Sequence, residues 1–108
     1  MSYPLVFKRF TVTIAEASVA QRASTTRIRS NQVEFYVTPG STGPVFFGNS
    51  EVTADWIPRA AGSLTTFTSS SGGSLLSGPY FDLNQLYLLS ATVGDQVIIQ
   101  YLDQGDLA

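Results

Sequence analysis

The chain has no histidine and no cysteine. Without histidine it lacks the commonest general base and the commonest ligand for transition metals. Without cysteine as well, zinc and iron–sulfur sites are effectively excluded, as are disulfides and thiol chemistry. Charge is scarce: 13% of residues are Asp, Glu, Lys or Arg, about half the usual share of roughly 25%. A surface that poor in charge is either a Ser/Thr-rich β surface or one partly covered by partners. No apolar run approaches the ~18 residues that span a bilayer as a helix. The first residues, Met1-Ser2-Tyr3-Pro4-Leu5, have no basic region followed by an apolar run, so no secretory signal is expected. No Asn-X-Ser/Thr sequon occurs, because Asn49-Ser50-Glu51 fails at its third position.

The net charge is −2, which lacks the basic footprint that general nucleic-acid binding needs. Its distribution is uneven. Lys8, Arg9, Arg22, Arg27 and Arg29 lie early, whereas Asp82, Asp95, Asp103 and Asp106 lie late. An early basic part can meet an acidic partner, or the acidic end of a second copy. Solvated charges without consequence are the plainer reading.

At 108 residues the chain makes one domain. Its hydrophobic residues, 44% of the total, suffice for a core. Residues 1–9 read as an N-terminal arm, since Pro4 blocks early regular structure and Leu5, Val6 and Phe7 sit beside Lys8 and Arg9. Such an arm is either a first strand or a segment that docks on something. A single β domain is expected over residues 10–102, followed by a polar C-terminal tail over residues 103–108.

Within the domain, Phe10, Val12 and Ile14 alternate with threonines, as in a half-buried strand. A strand is expected over about residues 21–28, and Ser30-Asn31 reads as a turn. Val33, Phe35 and Val37 alternate with Glu34, Tyr36 and Thr38, the clearest strand pattern in the chain. Pro39 to Pro44 is a turn-rich connection. Val45-Phe46-Phe47 predicts a short core strand, Gly48-Asn49 its turn, and Glu51-Val52-Thr53 a further short strand. Trp56-Ile57-Pro58 is expected to plug the end of the fold. Ser69 to Ser74 has the composition of a flexible loop. Asp82-Leu83-Asn84-Gln85-Leu86 suggests an Asp-led turn or a brief helical turn. Leu88 and Leu89, adjacent and apolar, predict a strand buried on both faces. After a tight Gly94-Asp95 turn, Val97, Ile99 and Tyr101 share one face of a last strand. The fold class is therefore all-β: an antiparallel β-sandwich or small barrel, jelly-roll-like, of about 7–8 short strands.

Chemistry for catalysis is hard to find. No serine has the partners of a nucleophilic triad, no Asp-rich loop resembles a calcium site, and Gly72-Gly73 lacks the lysine of a phosphate loop. Glu51 and Asp55 at loop spacing read as solvated carboxylates. No cofactor or metal is expected, and the chain is not expected to be an enzyme. The aromatic residues, led by Trp56, the only tryptophan, suit either a sugar-stacking platform or core and interface packing.

The order of features carries a resemblance. An early Val-Thr-Ile strand precedes Val33-Glu34-Phe35-Tyr36-Val37, then Gly43-Pro44-Val45-Phe46-Phe47-Gly48-Asn49-Ser50-Glu51-Val52-Thr53. Trp56-Ile57-Pro58 and Gly62-Ser63-Leu64 follow. The chain ends through Phe81-Asp82-Leu83-Asn84-Gln85-Leu86-Tyr87-Leu88 and Gly94-Asp95-Gln96-Val97-Ile98-Ile99-Gln100-Tyr101. In this order the chain, over about residues 10–102, is similar to small β-sandwich structural proteins of tailed bacteriophages. The resemblance implies a non-enzymatic virion protein that binds and stabilises a capsid, of the decoration or cement type. A head–tail, neck, baseplate or fibre-attachment module is the alternative, and a carbohydrate-binding β-sandwich is the alternative of another class. Implied partners are the major capsid protein or other virion proteins and further copies of the chain, as dimer or trimer, with neither nucleic acid nor membrane. The implied location is the virion, assembled in a host cytoplasm. Leu5, Phe7, Lys8, Arg9 and Trp56 are the candidate interface residues.

Overall fold

The computed structural model describes residues 6–68 and 81–103. The expectations for Leu5, for the Ser69–Ser74 loop and for the tail beyond Asp103 lie outside the described residues.

Ten strand segments run through the described chain: β1 (Val6–Thr13), β2 (Gln21–Arg22), β3 (Arg29–Ser30), β4 (Gln32–Val37), β5 (Val45–Gly48), β6 (Pro58–Arg59), β7 (Leu64–Thr68), β8 (Phe81–Asp82), β9 (Tyr87–Ser90) and β10 (Gln96–Asp103). They form two antiparallel four-stranded sheets, ordered β1-β10-β4-β7 and β2-β9-β5-β6, with a separate β3–β8 pair. The fold is a small antiparallel β-sandwich. Connections repeatedly switch sheets, at β1 to β2, β4 to β5, β6 to β7 and β9 to β10.

The core forms where period-2 alternation from both sheets converges. β4 supplies Val33, Phe35 and Val37, and β10 supplies Val97, Ile99 and Tyr101. Val12 and Ile14 join from β1 and just beyond it, Val45 and Leu88 from the second sheet, and Leu83 from the turn before β9. Phe35 stacks on Phe47 with ring centroids 4.9 Å apart and meets Phe67 edge-on at 5.4 Å. Asp82 caps a single 3-10 turn (Leu83–Gln85), its side chain accepting from the Asn84 N–H. Leu88 and Leu89 are both buried, as their adjacency predicts.

Several local expectations shift. The first strand begins at Val6, not Phe10, and pairs along its whole length with β10, from Val6 opposite Asp103 to Thr13 opposite Gln96. Residues 6–9 are thus strand residues of the sheet, and Asp103 lies in β10. Backbone pairing needs no hydrophobic alternation, so Lys8 and Arg9 extend β1 at a sheet edge, where cations are common. The strand expected over 21–28 breaks into two-residue pieces at its start and beyond its end, because no alternating apolar pattern holds the middle to either sheet. Glu51 lies in a turn, and Val52-Thr53 is not a strand.

Candidate functional site

The candidate interface residues fall in two places. Phe7, Lys8 and Arg9 lie on β1, the edge strand of the first sheet. Alternation turns Phe7, Arg9 and Thr11 to the outside of the sandwich, while Phe10 and Val12 turn inward. Phe7 is 64% exposed and sits opposite Leu102; Arg9 sits opposite Gln100. Gln21 fastens the second sheet beneath this edge, accepting from the Ala15 N–H at 2.9 Å and donating to the Thr13 carbonyl at 2.9 Å.

Trp56 belongs to the connection between β5 and β6, which is the other edge of the second sheet. The structure therefore does not gather Trp56 and the β1 residues into one site. Nor does Trp56 plug the end of the fold. Its ring lies over Gly48, on the outer side of β5, where Val45 and Phe47 point inward. A Cβ at position 48 would collide with Cζ3 of the indole and lie 2.6 Å from its Cε3. Gly48 is a seat for a ring, required by close approach and not by a positive φ. Trp56 remains 39% exposed and Ile57 beside it is 67% exposed. Gly48→Ala should displace the indole, shifting its emission to the red and costing about 1–2 kcal/mol. Unchanged emission would show that the ring does not rest there.

An open pocket of about 380 Å³ is walled mainly by Phe35, Phe47, Phe67, Leu83 and Leu86, with Asp82 and Gln85 at its lining. Arg27 pairs with Asp82 at 2.9 Å. The chain leaves this region at Thr68 and re-enters at Phe81, with residues outside the described set between them. Near β2, Arg22 donates to the Tyr87 hydroxyl at 2.9 and 3.1 Å and lies over its ring.

Among the described residues, no group of three or more Asp, Glu, His or Cys is placed to hold a metal ion. Among the described residues, a carboxylate with a shifted pKa is Asp95, which sequence reasoning read only as a turn residue. It is 3% exposed. Burial pushes its pKa up, but hydrogen bonds from the Thr42 N–H, the Ser90 hydroxyl and the Gly43 N–H outweigh burial and hold it below its ordinary value. Its carboxylate is fully engaged in fastening loops, which is a structural use of charge.

No protein-family model, curated protein or solved structure matches this chain. The functional reading therefore rests on residues and geometry.

Proposed function

We propose that this protein is a non-enzymatic virion component that binds and stabilises a phage capsid, as a decoration or cement protein. The observation that carries this reading is the outer end of the β1–β10 ribbon. There Phe7 stands 64% exposed in a strand that also carries Lys8 and Arg9, on a protein with few charges elsewhere. An exposed aromatic beside cations is the composition of an anchor for an apolar pocket with an acidic rim. Many copies on a symmetric shell make modest individual contacts sufficient. The order of sequence features shared with small phage β-sandwich proteins supports the same role, with the major capsid protein as partner and the virion as location.

Co-sedimentation with empty shells assembled from a capsid protein encoded beside this gene tests this. The intact protein should pellet with shells in fixed stoichiometry. Phe7→Ala should bind at least about tenfold more weakly while changing stability by no more than about 0.5 kcal/mol, because the side chain is exposed. Absence of shell binding by the intact protein overturns the role. Binding to neck, baseplate or fibre particles instead would move it to an attachment module, and Trp56-dependent signals on a glycan array would favour carbohydrate binding.

A further inference from the structure

The outer face of the first sheet has a pattern that its register makes explicit. Thr11, Ile98, Tyr36 and Leu64 form one row across β1, β10, β4 and β7. The next row is Arg9, Gln100, Glu34 and Thr66. Beyond it, Phe7 lies opposite Leu102. Leu64 and Phe7 are 60% and 64% exposed, and Ile98, Tyr36 and Leu102 are half-buried. The face thus has apolar side chains on both sides of a row that carries one cation and one anion: Ile98, Tyr36 and Leu64 on one side, Phe7 and Leu102 on the other. Gln100 stands between them and donates to the Glu34 carboxylate at 3.1 Å. Arg9 makes no ion pair among the described residues.

We infer that this face binds a second copy of the same chain, across a two-fold axis that runs along β10. Opposite charges placed on either side of one strand are self-complementary under that operation. β10 lies over β10, β1 lies over β4 of the second copy, and Arg9 of each chain meets Glu34 of the other. Ile98 and Leu102 stack on their counterparts along the axis. Two β faces packed in this way sit about 10 Å apart with mean strand directions within about 30° of each other, within reach of an arginine side chain. The isologous geometry closes at two copies. Buried charges contribute register and specificity more than affinity, and here they select this axis over a slipped one.

Pairing through the open edge of β1 is the competing arrangement. It would bring Lys8 and Arg9 of both copies into one strip, the like-charge device that keeps edge strands apart. From strand spacing and rise, the face measures roughly 20 Å by 20 Å. That is small against a standard interface of about 800 Å² per partner, so the dimer is weak, with Kd in the micromolar range. It requires no shell and stands whether or not the capsid role does; because both uses draw on the Phe7 and Arg9 face of β1, a shell would compete with the second copy for it.

Sedimentation equilibrium of the full chain, without shells, over a micromolar-to-millimolar series tests the inference. The native protein should show a monomer–dimer equilibrium that weakens with salt. Arg9→Glu and Glu34→Arg should each raise Kd by about tenfold or more, and the chain carrying both changes should recover most of the loss. Both residues point outward, so circular dichroism should be unchanged. A monomer throughout, a trimer, or a dimer indifferent to both reversals would overturn the inference.

Discussion

Phe35→Ala should lower the unfolding free energy by about 3–5 kcal/mol. The ring is 2% exposed and lies in the middle strands of the first sheet, with β10 on one side and β7 on the other. It touches both layers of the sandwich through one pair of contacts: stacked on Phe47 of β5 and edge-on to Phe67 of β7. Removing it therefore loosens a cross-sheet contact and a within-sheet contact together. Phe35 also helps to line the open pocket of about 380 Å³, so its removal widens a gap already present beside it. The deleted volume joins existing space, and the remaining faces of Phe47 and Phe67 lose packing partners on that side. Domains of this size have a total margin of about 5–15 kcal/mol, so the variant should lie near the edge of folding. Urea denaturation is the measurement: the midpoint should fall sharply while the slope stays the same. Phe35→Leu, which keeps most of the volume, should lose less than half as much. If alanine and leucine behave alike, the aromatic contacts are not what holds the two sheets together.

The β-sandwich was legible in the sequence because its main strands carry their alternation in uninterrupted runs. Val33-Phe35-Val37 and Val97-Ile99-Tyr101 are visible as stripes, and the structure pairs them as neighbouring strands β4 and β10. The Leu88-Leu89 pair was legible for a different reason, since two adjacent apolar residues in a strand need cover on both faces. Short pieces were not legible. β2 and β3 hold two residues each and exist because of where their partners are, which no local pattern records. Gly48 was visible as a turn signal, but its use as a seat for Trp56 is a tertiary contact between positions in different segments. At the candidate site, the composition of Phe7-Lys8-Arg9 was readable, whereas its extended pairing with β10 was not. The relation of Arg9 to Glu34 depends wholly on register: the two residues are far apart in sequence and become members of one row only when β10 lies between their strands.

Asp95 is the hidden residue with the largest consequence for stability. Its Oδ1 accepts from the Thr42 N–H at 2.8 Å, and its Oδ2 accepts from the Ser90 hydroxyl at 2.9 Å and from the Gly43 N–H at 3.3 Å. These bonds tie the β4–β5 connection to the end of β9 and to the turn where Gly94 adopts a φ of +94°. The Asp95 carbonyl extends the tie to the first sheet by accepting from the Ile14 N–H at 2.8 Å. Asp95→Ala leaves two backbone donors and a fully buried serine without their acceptor, which should cost about 3 kcal/mol. Asp95→Asn retains the shape but turns one acceptor oxygen into a donor and removes the charge; a loss of about 2 kcal/mol is expected.

The pH dependence separates this from simple loss of packing. The pKa of Asp95 in the folded chain lies below its ordinary 3.8. Above that ordinary value the carboxylate is ionised in both states and its stabilisation is complete. As pH falls through it, the unfolded chain takes up the proton first, and the stabilisation drains away until the folded-state pKa is passed. The difference in unfolding free energy between the native chain and Asp95→Asn should therefore be constant near neutrality and shrink below about pH 4. Other carboxylates titrate in both proteins and cancel in that difference. Paired denaturation curves at pH 7 and pH 3 measure it. A gap of the same size at both values would mean that Asp95 holds the loops by shape and not by charge.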